Sequence, residues 1–342
     1  MLSKKIGMRN IITLLVLVLA CSTLQATNYY LSNTGDDNAN GNTPATAWET
    51  ITQLNTVTYF PGDSVFLQAG DVFTGSIDVN ESGDPTGGIV FMAYGNGPAP
   101  IISGSVPVTG WTVSGNHYEA DITQIVRNFV VNGRLEDIAR YPNNNQYLWL
   151  DSATTDYLLD ADMPTLDSNM FKSSKICIHS KQWCWEKSYV PALDLDTIKL
   201  SIPLELKPED GYGYFLFDNV NHLDTAREWT YHLSTRKLHY FPEAGVDPNT
   251  LDCQASVYNY GIQLGNDVCY VTIEGIDFER QGILGVNIPD DGSWYNNIRN
   301  CHFLQQGQIG IQDKGAFNTI LENNFREIGG IAVYLLQTAG NT

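Results

Sequence analysis

Three stretches near the C-terminal end repeat in register and decide the fold: VTIEGIDF at Val271–Phe278, NNIRNCHF at Asn296–Phe303 and NTILENNF at Asn318–Phe325. Each copy places an isoleucine five residues before a phenylalanine, and each is followed by a glycine and a short apolar strand. The copies begin 25 and 22 residues apart. Such a period, without helical spacing, is typical of stacked β-coils, so the sequence predicts an all-β solenoid.

The first 26 residues have the layout of an export signal. Three basic residues precede the apolar run Ile11–Ala20, which is too short to span a bilayer. Cleavage after Ala26 predicts a secreted, periplasmic or cell-surface protein. Lipidation at Cys21 is the alternative, because small and apolar residues precede this cysteine. Beyond Ala26 no apolar run is long enough to cross a membrane.

The rest of the chain divides into three parts. Residues 27–105 show short strand patterns separated by glycine and proline, and we expect an N-terminal cap with a short helix within Thr46–Leu54, then the first coils. From 106 to 250 the period is lost, which predicts an inserted β-rich domain. Residues 251–342 form later coils. Because the sequence stops inside a coil without a cap, we expect an N-terminal fragment of a longer protein.

One hairpin can be predicted inside the insertion. The alternating segments Trp229–Leu233 and Leu238–Phe241 pair symmetrically about Thr235-Arg236. This register places His232 opposite His239. Two histidines without a third ligand favour an exposed cross-strand pair over a metal centre, so no metal site is predicted here.

Five of the six cysteines follow the signal segment. Five is an odd number for an oxidising compartment, and no pair has the CxxC spacing of a zinc site. Cys177 and Cys184 are close enough in sequence to close a small loop. Cys301 takes the position of Ile276 and Asn323 in neighbouring coils, so we expect it to be a buried thiol.

The net charge of −19 excludes some classes of partner. An acidic surface repels phosphate backbones, so no nucleic-acid partner is expected. The same charge provides no general attraction for polyuronates or sulfated glycans. The sequence also contains no GxSxG, Walker, dinucleotide-binding or HExxH motif, which leaves other common enzyme classes without support.

Four elements resemble the right-handed parallel β-helix proteins that Bacteroidetes-type bacteria secrete: Tyr29–Asp36, Pro61–Leu67, Asn132–Pro142 and Glu228–Pro242. The last two elements are most similar to β-helix glycoside hydrolases of families 141 and 120. The resemblance covers nearly all of the mature chain. It implies a pectate-lyase-like right-handed parallel β-helix with an inserted domain and a glycan substrate, and it places the catalytic carboxylates on later coils.

Candidate catalytic residues follow from the spacing of the coils. Successive coils lie about 4.8 Å apart, and glycosidases use two carboxyl groups roughly 5–9.5 Å apart. Asp290 and Asp291 follow one strand, and Asp313 ends the matching strand of the next coil, so one of the first two with Asp313 is the candidate pair. The alternative is a solvated turn at Asp290-Asp291 and a surface ion pair between Asp313 and Lys314. Asp277, Glu279 and Glu322 are expected at solvated turn positions.

Aromatic residues supply candidate substrate-binding positions. Trp183, Trp185, Tyr212 and Tyr214 alternate along two strands and are able to stack on pyranose rings, the alternative being strands that are half core and half surface. The loop Asp36–Gly41 is rich in oxygen ligands for calcium, although it lacks the spacing of a known calcium loop. No cofactor is required by this interpretation, with calcium as the one ion to consider.

The sequence thus favours a monomeric glycoside hydrolase that cleaves a plant or algal polysaccharide or oligosaccharide by a two-carboxylate mechanism. A polysaccharide lyase acting on a uronate glycan is the first alternative. It requires a basic cleft, and the visible coils offer only Arg280, Arg299, Lys314 and Arg326. A non-catalytic glycan-binding surface protein is the second alternative.

Overall fold

The computed structural model describes residues 26–163, 174–191, 193–194 and 196–336. Residues 1–25 of the predicted export signal, with Cys21, lie outside these residues, as do residues 337–342. Strands dominate the described part, and its one α-helix is Ile51–Leu54. Three 3₁₀ turns complete the helical content: Pro44–Thr46, Val220–His222 and Pro248–Thr250.

Three parallel sheets form the solenoid. Sheet 1 contains, in spatial order, Asn28–Leu31, Ser64–Gln68, Ile89–Tyr94, Val271–Glu274, Asn297–Arg299 and Thr319–Leu321. Sheet 2 contains Val72–Thr74, Ile101–Ser103, Asp277–Glu279, His302–Leu304 and Asn324–Arg326. Sheet 3 contains Ile77–Val79, Tyr260–Leu264, Leu284–Ile288, Ile309–Asp313 and Ile331–Leu335. The chain visits sheets 1, 2 and 3 in turn, which confirms the predicted right-handed parallel β-helix.

The repeated residues of the sequence are the rungs of its core. Ile273 pairs with Ile298 in sheet 1, and Phe278 pairs with Phe303 in sheet 2. The phenylalanine rings stack at 5.0 Å between Phe278 and Phe303, and the next pair in the ladder stacks at 4.9 Å. Gly285 faces this ladder, where an added Cβ would lie 2.4 Å from the Phe303 ring. The repeat therefore needs both the ring and the glycine opposite it.

Buried amides in the turns link one coil to the next. Asn296 Oδ1 accepts the backbone N–H of Val271 at 2.9 Å, and Asn318 Oδ1 accepts that of Asn296 at 2.8 Å. Asn318 Nδ2 also donates to the carbonyl of Ser293 at 3.1 Å. These bonds satisfy backbone groups that the turns would otherwise leave unpaired in the interior.

The N-terminal cap forms as the sequence predicts, with a shorter helix. Thr50 begins the helix Ile51–Leu54 by accepting the Gln53 N–H with its side chain. Trp48 is buried, stacks on Tyr29 at 5.7 Å and donates from Nε1 to the Ala39 carbonyl. The indole thus closes the first coil of the solenoid.

The insertion leaves the third coil after its sheet 2 strand and returns to its sheet 3 strand. Its first unit has two sheets around one core. Sheet 4 contains Arg134–Leu135, Asn128–Val131, Cys253–Ser256 and Ser105–Pro107. Sheet 5 contains Asp137–Ile138, Glu228–His232, Lys237–Phe241, His117–Asp121 and Thr112–Ser114.

A second unit is nested within the first and has a core of its own. Sheet 6 contains Arg140–Tyr141, Gly213–Phe217, Lys175–Lys181 and Cys184–Tyr189, with Leu148–Trp149 paired to the second of these. Sheet 7 contains Ser152–Ala153, Tyr157–Leu159, Thr197–Lys199 and Leu193–Asp194. The insertion is thus two small β units, the second built from the middle of the first.

The predicted hairpin exists, but its predicted register is wrong by two residues. His232 pairs with Lys237, and Thr230 pairs with His239. A turn centred on Thr235-Arg236 would need a positive φ at both residues, and only Arg236 has one, at 56°. The observed loop between His232 and Lys237 is longer and needs only one residue with a positive φ. Within this loop, Thr235 Oγ1 lies 2.9 Å from His232 Nδ1.

The five cysteines in the described residues are all free thiols. Cys177 pairs with Lys187 and Cys184 with Lys181 across the strands, so the loop between the two cysteines is not closed by a disulfide. Cys301 is buried in the solenoid core, as predicted. In the part of the chain described here, no helix is long and apolar enough to span a bilayer.

Candidate active site

Two carboxyl groups lie side by side on the outer face of sheet 2. Asp277 and Glu279 flank Phe278, whose ring is in the core, and alternation along a strand turns both carboxyl groups outward. The next coil places His302 beside Asp277 and Leu304 beside Glu279. Asp277 and Glu279 are called the sheet 2 carboxyl pair below.

The surroundings of the pair favour its protonated forms. Burial raises the pKa of both groups. His302 opposes this for Asp277, and Arg280 opposes it for Glu279, whose pKa the charge of Asp277 raises further. The Oδ1 atom of Asp277 is 3.4 Å from His302 Nδ1, yet it is buried and accepts no hydrogen bond within the described residues. A buried acceptor of this kind requires an explanation, and a catalytic role is one.

The spacing of the pair suits glycoside cleavage. Residues two apart in a strand have Cα atoms about 6.6 Å apart on the same face. Retaining glycosidases place their carboxyl groups about 5–5.5 Å apart and inverting ones about 6.5–9.5 Å apart. Side-chain rotation gives the pair access to either range.

The insertion contacts the solenoid along the edge of sheet 2 nearest to Glu279. Gln305 Nε2, in the turn after the next sheet 2 strand, donates to the Gly133 carbonyl of the insertion at 2.9 Å. Gln305 also donates to Glu327 Oε2 at 2.8 Å and accepts from Arg280 Nε at 3.4 Å. A polar network of Arg280, Gln305 and Glu327 therefore lies where the insertion contacts the solenoid.

A pocket of about 280 Å³ opens in the insertion beside the Asn132-Gly133 turn. Glu136 lies in it, buried, and its carboxylate accepts hydrogen bonds from Tyr240 Oη at 2.9 Å and Arg227 Nη2 at 3.1 Å. Burial raises the pKa of Glu136, against the effects of Tyr240 and Arg227. Because its carboxylate is already hydrogen-bonded to Tyr240 and Arg227, Glu136 stabilises this part of the insertion.

The structure places the predicted catalytic residues at the other side of the coil, after sheet 3. Asp290 Oδ1 accepts the Ser293 hydroxyl at 2.6 Å, and the Asp291 carbonyl accepts Trp294 Nε1 at 2.6 Å. Asp313 is 0% exposed, and its Oδ1 accepts the N–H of Gly315 and the amide of Asn318.

Asp313 ends a sheet 3 strand beside Ile288 of the previous coil, whereas Asp290 and Asp291 lie in the turn after that earlier strand. Burial raises the pKa of Asp313, and its carboxyl group has no surface from which to reach a glycan. Its Oδ1 atom is held by hydrogen bonds inside the coil. Catalysis by Asp290, Asp291 and Asp313 stays a prediction, and burial argues against Asp313.

Sequence reasoning misplaced the sheet 2 carboxyl pair in solvated turns. The signal that identifies them is local: Asp277-Phe278-Glu279 is a polar–apolar–polar triplet whose middle residue is a rung of the repeat. A core phenylalanine in a strand forces its two neighbours onto the outer face. The loss of solvent around them depends on the insertion and the next coil, which the triplet does not reveal.

Three of the four predicted substrate-binding aromatics lie at the surface of the second unit. Trp183 is 78% exposed, and Trp185 is also exposed. The His179 ring is sandwiched between Trp185 and Tyr212, with 4.5 Å between ring centres on each side. Tyr214 is different: it is fully buried, and its hydroxyl donates to Asp160 at 2.8 Å, so its ring has no free face for a sugar.

Two further aromatics extend this surface and were missed in the sequence. Tyr147 lies 5.6 Å from the Trp185 ring, and Trp149 lies 6.4 Å from Tyr147, both with exposed edges. Arg140 packs on Phe215 at 3.7 Å beneath them. The accessible rings are together called the aromatic surface: Tyr147, Trp149, Trp183, Trp185 and Tyr212. Its stacking on sugar rings remains a prediction.

The oxygen atoms of the loop Asp36–Gly41 mostly hold the cap together. Asp36 Oδ1 accepts from the backbone and side chain of Asn38, and Asp37 accepts from the Thr50 N–H and hydroxyl. Calcium binding stays a prediction for this loop. Across the ranges that the structure describes, no cluster of three His, Cys, Asp or Glu side chains is arranged to hold a metal ion.

Comparison with known proteins agrees with the fold. No model of a known protein family matches the chain, and no curated protein sequence matches it. A solved structure described as a glycoside hydrolase matches with a TM-score of 0.69 and 15% identity, over 89% of this chain and 74% of that one.

Two further solved structures cover most of this chain. The complex of XylC with xylose gives a TM-score of 0.50 and 13% identity, over 90% of this chain and 56% of that one. A GH136 lacto-N-biosidase from Eubacterium ramulus gives 0.38 and 15%, over 95% and 46%. This chain therefore spans about half the length of these two proteins. At such low identity, what it shares with the first two is the parallel β-helix fold.

Proposed function

We propose that this protein is a carbohydrate-active enzyme that hydrolyses glycosidic bonds on the outer face of sheet 2. The observation that carries the proposal is the sheet 2 carboxyl pair, two half-buried carboxyl groups on one strand, one with a buried oxygen that lacks a hydrogen bond. Plant and algal polysaccharides are the proposed substrates. The predicted export signal is consistent with this proposal, since such polymers are too large to enter a cell.

The two carboxyl groups take different roles because their environments differ. Glu279 is assigned as the general acid, since burial and the charge of Asp277 raise its pKa against the opposing charge of Arg280. It gives its proton to the glycosidic oxygen as the bond to the anomeric carbon breaks. Asp277, whose ionised form His302 favours against the effect of burial, either takes a proton from the attacking water or attacks the anomeric carbon itself.

The aromatic surface supports binding of the same class of ligand. Exposed tryptophan and tyrosine rings are suited to the C–H faces of pyranose rings, and the second unit presents several together. Trp183, Trp185 and Tyr212 are proposed to hold the glycan, with Tyr147 and Trp149 beside them.

Arginine pairing makes a lyase the weaker proposal. Neutralising a uronate carboxylate requires a free cation near the base. Arg299 is paired with Glu274 at 2.8 Å, Arg280 lies 3.6 Å from Glu279, and Arg326 lies 3.2 Å from Glu327. Each of these cations already has a carboxylate neighbour.

The test incubates the protein, from Thr27 onward, with neutral and uronate-containing polysaccharides. Reducing ends and the ultraviolet absorbance of unsaturated uronates are followed together. Reducing ends without absorbance support hydrolysis. Both signals rising together would establish a lyase. Retention on a glycan without either signal would leave a binding protein.

A further inference from the structure

A second pocket lies where the two units of the insertion meet. It has a volume of about 490 Å³, within the range of small-molecule sites. Its lining includes Glu119, Asp218, Thr230, Lys237 and His239. None of the residues that line it belongs to sheet 2 or to the aromatic surface. It is called the junction pocket below.

Strand alternation explains why polar side chains line the junction pocket. One face of sheet 5 packs into the core of the first unit through Trp229, Leu238 and Tyr240. The alternate residues, Thr230 and His239 among them, face the second unit instead. The loop at Asp218 completes the pocket from that unit. A polar sheet face is thus enclosed between two units, which is a common position for ligand sites.

A chain of hydrogen bonds assigns the proton positions on His239 and on its neighbour His117. Asn116 Nδ2 donates to the Leu223 carbonyl at 3.4 Å, which leaves Asn116 Oδ1 facing His117 Nδ1 at 3.2 Å. An amide oxygen only accepts, so His117 Nδ1 carries the proton and His117 Nε2 is an acceptor. His117 Nε2 is 3.0 Å from His239 Nδ1, which therefore donates. His239 Nε2 is left with its lone pair.

Both imidazoles are neutral at pH 7, which this relay requires. Burial lowers the pKa of His239 to about 4, with His117 adding to the effect. Burial also lowers the pKa of His117, against the charge of Glu119. Within the described residues, no hydrogen bond engages His239 Nε2. The pocket therefore contains a fixed acceptor without a protein donor.

The charged groups of the pocket are already balanced by neighbours. Lys237 lies 3.4 Å from Glu119 and 2.9 Å from Asp121. Asp218 pairs with Lys175 and accepts the Thr230 hydroxyl at 2.7 Å. The pocket thus offers oxygen and nitrogen acceptors without a free cation for an anionic ligand. A neutral ligand rich in hydroxyl groups matches this lining.

We propose that the junction pocket binds a neutral pyranose, one of whose hydroxyl groups donates to His239 Nε2. This site is separate from the sheet 2 carboxyl pair and does not depend on hydrolysis there. It would let the insertion hold a glycan at a second point.

Imidazole nitrogen spectra of the ¹⁵N-labelled protein test this directly. Without sugar, we expect His239 to be protonated at Nδ1 and bare at Nε2. Added glucose, galactose or xylose should then move the Nε2 resonance of His239. Glucuronate serves as the anionic comparison and should not move it.

A matched pair of variants controls the experiment. Val220 lines the pocket and is 40% exposed, so Val220→Trp fills the space without entering the histidine relay. Val113 lies on sheet 5 outside the pocket and is 70% exposed, so Val113→Trp is its control. Val220→Trp should abolish the sugar-dependent shift, and Val113→Trp should retain it.

The unliganded spectrum of Val220→Trp reports whether the relay is intact in that variant. The proposal is overturned if His239 is protonated at Nε2 in the unmodified protein. It is also overturned if no neutral sugar moves the resonance at 100 mM (a concentration on the order of weak single-sugar binding), if only glucuronate does, or if Val220→Trp responds unchanged. None of these readings depends on glycoside hydrolysis.

Discussion

The solenoid and the insertion satisfy their buried polar groups in different ways. In the solenoid, neutral amides such as Asn296 and Asn318 bond the backbone of the adjacent coil, and the same contact recurs from coil to coil. In the insertion, individual ion pairs satisfy buried polar groups, as between Glu136 and Arg227, and no such pair recurs within the described residues. Stability is therefore distributed along the solenoid and concentrated at single contacts in the insertion.

The largest loss should come from the phenylalanine ladder. Phe303→Ala removes a buried ring that stacks on both neighbours, and we expect unfolding to cost about 3–5 kcal/mol less. Phe317→Ala is the control, since this ring is 46% exposed in a turn. Chemical denaturation measures both. Equal losses would contradict a core built on the ladder.

Removing the cation of the buried pair should cost nearly as much. Arg227→Met leaves the buried Glu136 carboxylate without its arginine, and we expect a loss of about 3 kcal/mol at pH 7. Adding Glu136→Gln to this variant should restore much of the stability, because no unpaired charge then remains. Denaturant midpoints of the single and double variants decide this.

The pH dependence of this loss has a definite sign. The folded-state pKa of Glu136 is already raised, and losing Arg227 raises it further. The folded variant then binds a proton more tightly than the unfolded chain, so its stability falls as pH rises above the ordinary carboxyl pKa. The deficit relative to the unmodified protein should shrink on acidification. A deficit that grows at low pH would contradict the account.

Asp313→Asn should separate a structural from a catalytic role. Burial raises the pKa of Asp313, which lowers stability as pH rises above the ordinary carboxyl range. An amide keeps the oxygen that accepts from Gly315 and Asn318, so we expect about 1 kcal/mol of added stability at neutral pH and unchanged activity. Thermal melts at several pH values measure the first. Loss of hydrolysis in a folded variant would restore Asp313 as a catalytic residue.

The smallest effect on stability should be at the aromatic surface. Trp183→Ala should change the free energy of unfolding by less than about 0.5 kcal/mol, since the ring is almost fully exposed. In a native gel that contains the substrate glycan, the Trp183→Ala variant should nevertheless be retarded less than the unmodified protein. Leu233→Ala, 54% exposed in the hairpin loop, is the control and should run as the unmodified protein does. Equal mobility of all three would remove the aromatic surface from substrate binding.

The same contrast explains which features the sequence revealed. The core isoleucine and phenylalanine positions could be predicted because equivalent positions of successive coils have the same surroundings. The same residue type therefore recurs at each of them. The hairpin register could not, because the positive φ of Arg236 depends on the loop that closes it. The end of the strand at Asp313 was predicted but its burial was not, because such a position resembles a surface site, although its sheet 3 neighbour Ile288 is in the core.

Tyr212 and Tyr214 show a second limit. They are two residues apart, so simple alternation places them on one face. Tyr212 precedes the strand Gly213–Phe217 and stacks at the surface, whereas Tyr214 is within it and enters the core. The sheet 2 carboxyl pair was missed for a related reason: its strand has only three residues, too few for alternation to identify without the coil register.

The most direct test of the central claim measures kcat/KM of Asp277→Asn and Glu279→Gln on the polysaccharide that yields reducing ends. We expect each variant to lose about 10²- to 10⁴-fold, as for a general acid or base, with an unchanged melting temperature. Asp290→Asn is the matched control and should retain its activity. Full activity in both sheet 2 variants, or an equal loss in Asp290→Asn, would contradict catalysis by the sheet 2 carboxyl pair.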